Sequence, residues 1–337
     1  MTHGVAVIGC GQWGRNLVRV FHRLGALRWI CDADPGRLRE AGGSVPGVRS
    51  TGRIEDILAD AQVRAVAVAT PANTHVALAT AALAGGKDVF VEKPLALSAA
   101  DGARLVHEAA KRRAILMVGH VLRYHPAIVR LKQLVDAGEL GELYYLYSNR
   151  LNLGRIRRDE NILWSFAPHD ISVMLLLVGR IPASVSACGG SYLQRAVADV
   201  TLSTYAFGNG VQGHIFVSWL HPFKEQRLVV VGSRKMALFD DVPSDANAKL
   251  CIYDKGVTWR EGMPQPRQEA ETRILLPADE PLELECRHFL ECLERRSRPA
   301  TDGAEGVRVL QVLEASQRSL VEGRPVTLAP APALADA

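Results

Sequence analysis

Hydrophobic positions in the first ~120 residues alternate between short unbroken apolar runs and stretches spaced three and four apart. Residues 5–8 are wholly apolar, as expected of a strand covered on both faces of a parallel sheet. Residues 12–24 carry helical spacing, and 28–31 and 65–69 read as further strands. Residues 74–84 read as a helix stopped by Gly85-Gly86, and 88–91 as a strand. Ser98-Ala99-Ala100-Asp101 has the form of a capping box and predicts a helix to about Arg112, followed by a strand at 115–118. Alternation of this kind predicts right-handed βαβ crossovers and an α/β, doubly wound parallel sheet.

The pattern changes after Gly119. Pro126 suits the first position of a helix reaching about Gly138. Strand-like runs then dominate: 143–149, 183–191, 197–207, 211–219, 227–231 and 236–239. Asn209-Gly210 between two of them signals a hairpin, because both residues tolerate positive φ. Asp254-Lys255-Gly256 reads as a second turn. One helix, about 168–178, interrupts the strands, and two more follow at 282–296 and 304–321. The expected organisation is a nucleotide-binding domain at 1–119, an α+β domain with a large, mostly antiparallel open-faced sheet at 120–327, and a frayed Ala/Pro tail at 328–337. The open face is left for substrate or for a second subunit.

A length of 337 residues suits about two domains. With 48% hydrophobic and 23% charged residues, the chain has enough apolar surface to offset ordering entropy, which argues against disorder. Lys plus Arg is 40 and Asp plus Glu 36, a net charge of +4. That small excess argues against a general nucleic-acid binder but leaves room for one small anionic ligand. Apolar runs such as 174–178 are too short to span a bilayer. Met1-Thr2-His3-Gly4 leads straight into the first strand with no basic segment or long apolar run, so a cytoplasmic protein without a signal peptide is expected. The six cysteines show neither C-x-x-C nor zinc spacing, which predicts reduced, buried thiols and no metal site.

Gly9-Cys10-Gly11-Gln12-Trp13-Gly14 fits G-x-G-x-x-G between the first strand and the first helix. There the glycines permit a tight turn and close approach of a pyrophosphate to a helix N-terminus. Asp32 ends the second strand, where a carboxylate accepts hydrogen bonds from an adenosine ribose and repels a 2′-phosphate, so NAD is expected over NADP. Arg28 and Arg37 lie nearby in sequence and would blunt that preference. Glu92-Lys93-Pro94 follows the 88–91 strand, at the rim where open α/β sheets bind ligands. A lysine with the ordinary pKa of about 10.4 is neutral about once in a thousand at pH ~7.4, a cost near 4 kcal/mol, so acid–base work there requires a lowered pKa. Taken alone, Lys93 is more readily read as the salt-bridge partner of a neighbouring carboxylate.

The glycine fingerprint, Ala69-Thr70-Pro71-Ala72-Asn73-Thr74-His75, Glu92-Lys93-Pro94 and Gly119-His120-Val121-Leu122-Arg123-Tyr124-His125-Pro126 together resemble the Gfo/Idh/MocA oxidoreductase family. Ala167-Pro168-His169-Asp170-Ile171 and Glu322-Gly323-Arg324-Pro325-Val326 are similar too, so the resemblance spans most of the chain. It implies a Rossmann domain with tightly bound NAD and an open-faced sheet domain that forms homodimers or homotetramers. It implies hydride transfer at a sugar or cyclitol carbon, with Lys93 and His169 as the catalytic pair and a cis Lys93–Pro94 peptide. Cofactor contacts are expected from Gly9, Gly11, Gln12, Trp13, Gly14, Asp32, Thr70, Pro71, Asn73, His75, Glu92 and Lys93, and substrate contacts from His120, Arg123, Tyr124, Arg150, Arg155, Arg157, Ser165 and His169.

One position departs from the family. Asp often stands four residues before the histidine, and here that residue is Ser165, which carries no charge near neutral pH. The cationic segment with Arg155, Arg157 and Arg158 reads either as a solvated loop or as a clamp for a diphosphate. Trp164-Ser165-Phe166-Ala167-Pro168-His169-Asp170 resembles the nucleotide-sugar branch. The resemblance therefore implies oxidation of a secondary hydroxyl, at C3, of a nucleotide-activated amino sugar such as UDP-N-acetylglucosamine, with an aminotransferase downstream. A free sugar or inositol as substrate, and NAD-recycling glycoside hydrolysis, are the alternatives. His125 reads as structural, His214 and His221 as facing the open side of the sheet, and Cys286-Arg287-His288 as part of an amphipathic helix.

Overall fold

In the computed structural model, which describes residues 4–154, 156–158 and 160–328, the chain divides into two units. The first comprises the residues up to Val121 together with Glu280–Leu310, and the second Leu122–Asp279 with the chain from Gln311. The first unit is built from β1 (Gly4–Ile8), α1 (Gly14–Arg23), β2 (Leu27–Cys31), α2 (Pro35–Gly43), β3 (Arg49–Thr51), α3 (Ile54–Ala59), β4 (Val63–Val68), α4 (His75–Ala84), β5 (Asp88–Glu92), α5 (Ala99–Lys111) and β6 (Leu116–Gly119). Its sheet has the order β3-β2-β1-β4-β5-β6 with every pair parallel, the doubly wound arrangement expected. Every residue of β1 and β5 is buried, which is why Val5–Ile8 and Val89–Val91 are apolar without alternation. Ser98 caps α5 by accepting a hydrogen bond from the Asp101 amide (3.0 Å). The sequence did not foretell β3, α2 or α3: β3 is three residues of Arg-Ser-Thr, and α2 buries only Ala41.

The second unit begins with α6 (Pro126–Asp136) and β7 (Leu143–Leu151). There follow α7 (Ile162–Val178), β8 (Ser184–Gly190), β9 (Val200–Ala206), β10 (Gln212–Ser218), β11 (Glu225–Gly232), β12 (Met236–Asp240), β13 (Leu250–Arg260) and β14 (Met263–Arg273). With β15 (Val326–Thr327) they form a nine-stranded sheet of order β14-β13-β12-β11-β7-β10-β9-β8-β15, antiparallel except for β7 with β10. Leu146, Ile215, Val217, Tyr205 and Val230 are buried on the face against which α7 lies, while Tyr145 and Leu202 are exposed on the other. Asn209-Gly210 closes the β9–β10 hairpin as expected, with Gly210 at φ +87° and the Phe207 amide bonded to the Val211 carbonyl (2.9 Å).

Two expectations are corrected here. Asp254-Lys255-Gly256 is no turn: it lies inside β13, where the register with β14 slips between Tyr253 and Lys255, and the chain reverses at Glu261-Gly262 instead. Two residues of β13 span three of β14 at that slip, so the extra residue of the bulge lies on β14 and Asp254-Lys255-Gly256 runs straight on opposite it. The helix expected at 168–178 starts earlier, at Ile162, and holds Pro168 in its interior. Strands β13 and β14 were also unforeseen; the place of β14 at the sheet edge tolerates its Pro264 and Pro266.

The chain returns to the first unit with α8 (Pro281–Arg295), and the division between units falls within α9 (Gly303–Glu322). Phe289 of α8 makes edge contacts with Phe21 of α1 and Phe90 of β5, at centroid distances of 6.4 and 5.6 Å. All six cysteines are free and five are buried; Cys188, on β8, is exposed, contrary to expectation. Among the described residues no helix is long and apolar enough to cross a membrane. The expected tail falls, beyond Leu328, outside the described residues.

Candidate active-site residues

In the first unit the expected cofactor residues follow the C-terminal ends of β1, β2, β4 and β5, one edge of the parallel sheet. Gly9 has φ +97°, and a Cβ on Gly14 would stand 1.8 Å from the Gly9 carbonyl oxygen, so α1 can start this close to β1 only on glycine. Nothing lies within 4 Å of a Cβ built on Gly11, which leaves open space above the loop for phosphates to approach the backbone. The Asp32 carboxylate is aimed by the backbone: Oδ2 accepts the Cys10 amide (2.7 Å) and Oδ1 the Asp34 amide (2.9 Å). Arg28 is held by Asp60 (2.8 Å) and Arg37 lies 3.7 Å from Asp34, so both nearby cations have carboxylate partners. An open glycine loop and a fixed carboxylate at the end of β2 suit an adenine dinucleotide with a free ribose 2′-hydroxyl.

After β4, the Thr70 and Thr74 hydroxyls pair (2.7 Å), Thr74 Oγ1 donates to the Pro71 carbonyl, and Ala72–Thr74, which contains Asn73, forms a single 3₁₀ turn. His75 is buried, with Nδ1 2.8 Å from the Pro94 carbonyl and Nε2 2.9 Å from that of Thr70. Burial lowers its pKa, and the neutral ring donates to one of the two carbonyls, joining this loop to the Lys93–Pro94 segment. The Lys93–Pro94 peptide is cis, as the resemblance implied.

Glu92 is buried at the end of β5. The Trp13 indole N–H of the glycine loop donates to its Oε1, and the Lys93 amide to its Oε2 (3.3 Å). Gly119 makes room for this carboxylate, since a Cβ there would lie 2.9 Å from Oε2. Burial pushes the Glu92 carboxyl up to about 7, against the opposing pulls of Trp13 and of the Lys93 charge. His120, also buried, has Nδ1 2.6 Å from Glu305 Oε2. Glu305 and a further buried carboxyl, Glu285 of α8, were not singled out from sequence: each lies some 200 residues from the strands it meets, and nothing local marks it.

In the second unit the Asn161 side chain caps α7, accepting the Trp164 amide (3.1 Å). Ser165 and His169 then stand one turn apart on one helix face. The neighbouring Asp170 is fully engaged: it accepts Ser148 Oγ (2.6 Å), Arg150 Nε (2.8 Å) and Arg150 Nη2 (3.2 Å). Arg150, expected at the substrate, therefore has its guanidinium forked onto Asp170, and the pair borders a shallow recess lined also by Gln226, Arg227 and Phe239. Arg157 is exposed and pairs with Glu160 (2.9 Å), while Gln194 donates to its carbonyl (2.8 Å). Arg158 is exposed, and Arg155 lies outside the described residues. Tyr124 is buried and Arg123 half-buried on one 3₁₀ turn. His125 caps α6 by accepting the Ala127 amide (3.1 Å), with Nε2 3.4 Å from Asp241, a structural role as expected. His214 stacks on Tyr147 at 4.8 Å.

Comparison with known proteins agrees with this geometry. Residues 3–120 match the model of the oxidoreductase family with an NAD-binding Rossmann fold, and residues 128–238 match the GFO/IDH/MocA C-terminal domain. The UDP-N-acetylglucosamine 3-dehydrogenase of Acidithiobacillus ferrooxidans is 29% identical over 305 residues, covering 90% of this chain and 93% of that one. A solved structure of that enzyme superposes with a TM-score of 0.83 at 27% identity, over 95% of this chain and 98% of its own. The scyllo-inositol 2-dehydrogenase (NAD(+)) of Bacillus subtilis is 26% identical over 347 residues, 97% of each chain. With both family models matched in order, an open glycine loop and a fixed Asp32, the chain is an NAD-binding oxidoreductase and belongs to the Gfo/Idh/MocA family.

Proposed function

We propose that this oxidoreductase oxidises a secondary hydroxyl, at C3, of a nucleotide-activated amino sugar such as UDP-N-acetylglucosamine, giving a 3-keto sugar. The observation that carries the reading is the end-to-end similarity to a UDP-N-acetylglucosamine 3-dehydrogenase. The exposed Arg157 and Arg158 just before α7 support it, because guanidinium groups bind a diphosphate bidentately; Arg157 would exchange Glu160 for that ligand.

Bound NAD supplies the acceptor for the hydride that leaves the sugar carbon. The glycine loop takes the pyrophosphate and Asp32 the adenosine ribose. Thr70, Pro71, Asn73 and His75 shape the wall after β4. Lys93 or His169 takes the hydroxyl proton, which requires the acceptor within about 2.6–3.2 Å of the reacting oxygen or linked to it through one water. Glu92, against Lys93, holds the ammonium in place. Ser165 offers the sugar a neutral hydrogen-bond partner, while His120, Arg123 and Tyr124 complete the substrate contacts. Binding of the remote nucleotide aligns the carbon, so a truncated substrate loses kcat as well as affinity. A 3-keto amino sugar is a substrate for an aminotransferase, the class of enzyme expected next.

A second reading, oxidation of a free cyclitol, is favoured by the match along 97% of the chain to a scyllo-inositol dehydrogenase. A panel of UDP-sugars, inositols and hexoses, assayed for NADH with a ketone trap, separates the two. Turnover of UDP-N-acetylglucosamine is expected, and turnover of inositol alone would discard the nucleotide-sugar reading. Lys93→Ala is expected to lower kcat about 10²–10⁴-fold; unchanged turnover would discard the proposed chemistry.

A further inference from the structure

Glu285 on α8 is 0% exposed, and neither of its carboxylate oxygens has a hydrogen-bond partner among the described residues. The groups whose fields reach it are Glu92 from β5 and Glu305 from α9, with the Cys286 thiol next to it on α8. From α1, which packs against α8, Arg19 and Arg23 are bound instead by Glu280 and Glu283. The other polar groups nearby engage its neighbours: the Lys93 charge acts on Glu92, and His120 is hydrogen-bonded to Glu305. Burial first, then the two like charges, hold the Glu285 carboxyl well above the ordinary carboxylate range. Between the two acids, Glu92 already has the Trp13 and Lys93 donors that an anion needs, and Glu285 has none. The stored proton therefore belongs on Glu285.

We propose that Glu285 is a positioning residue for Lys93: a fully buried carboxyl without a hydrogen-bond partner among the described residues, in the same acidic cluster as Glu92, whose charge state sets how tightly the Glu92 carboxylate holds the Lys93 ammonium. The inference rests on the reading of Lys93 as the proton acceptor. While Glu285 keeps its proton, Glu92 alone can present a negative charge to Lys93. When Glu285 loses that proton to solvent, a second negative charge in the cluster stabilises the ammonium, and the neutral amine that a base must be becomes scarcer. Oxidation is thereby restrained at alkaline pH.

The test compares wild type with Glu285→Gln, which keeps the shape but cannot ionise, and with Glu285→Leu as a second variant should the amide fold poorly. The first readout needs no catalysis. Unfolded, Glu285 titrates near the ordinary value of about 4.3; folded, it keeps its proton to higher pH, so wild type loses stability as pH rises above that value. The ratio of unfolding constants, wild type over variant, is expected to climb about tenfold per pH unit from about pH 5, levelling only where the folded carboxyl ionises. A ratio flat with pH would overturn the proposal. The second readout is the pH profile of kcat/KM for oxidation, whose rising limb is expected about one pH unit lower in Glu285→Gln. A climbing ratio with an unmoved limb would overturn the link to Lys93. Unchanged turnover in Lys93→Ala would instead discard the catalytic reading and leave the stability result standing.

Discussion

At the residue scale, the chemistry of the first unit is decided by which polar groups have partners. Asp32 is the clearest case, because two backbone amides fix both of its oxygens beside the glycine loop. A carboxylate so held cannot swing away from a 2′-phosphate. Asp32→Ala is expected to cut the NAD-over-NADP preference in kcat/KM by at least about tenfold, equivalent to roughly 1.4 kcal/mol. Cofactor titrations of the variant check this, and an unchanged preference would mean that another group reads the ribose. Trp13 and Glu92 show the limit of inspecting residues singly. Both were expected at the cofactor, yet their direct hydrogen bond joins positions 79 residues apart and ties the glycine loop to the segment carrying Lys93.

At the scale of elements, α7 shows how local signals are overridden. The sequence pattern places the start of this helix at about Pro168. In the structure the helix has already run for six residues, opened by the Asn161 cap, and Pro168 is buried within it. The consequence is functional: only a helix that begins at Ile162 puts Ser165 and His169 on one face. Asn161→Ala removes the cap and is expected to cost about 1 kcal/mol, lowering the melting temperature by a few degrees. Thermal unfolding followed by circular dichroism measures it; a loss of several times that size would show that the Asn161–Gln317 contact (2.7 Å) matters more than the cap.

At the scale of the molecule, the nine-stranded sheet has one face beneath α7 and one without such cover among the described residues. Across the uncovered face, strand register lines up Leu238, Val229, Tyr147 and His214, with Phe216 paired to Leu202 on the neighbouring strands. Tyr145 and Leu202 are 43% and 38% exposed there. An apolar face of this extent is expected to be covered by a second copy of the chain. Light scattering after size exclusion should give a dimer or tetramer, and Leu202→Asp with Tyr145→Glu should shift it towards monomer. A wild-type monomer at micromolar concentration would refute the arrangement.

The amino-acid sequence alone determined the doubly wound sheet, the glycine fingerprint with Asp32, the Glu92-Lys93-Pro94 rim and the family. All of these rest on short-range patterns: continuous apolar strands, fixed glycine spacing and caps that neighbouring residues supply. Tertiary structure alone decided the partners. Arg150 forked onto Asp170, His120 against Glu305, Trp13 on Glu92 and Glu285 left without a hydrogen-bond partner among the described residues are all decided by elements distant along the chain. So is the acceptance of Pro264 and Pro266 in an edge strand. The physical reason is that charge, desolvation and hydrogen-bond satisfaction depend on what surrounds a group in space, and hydrophobic periodicity carries no record of that.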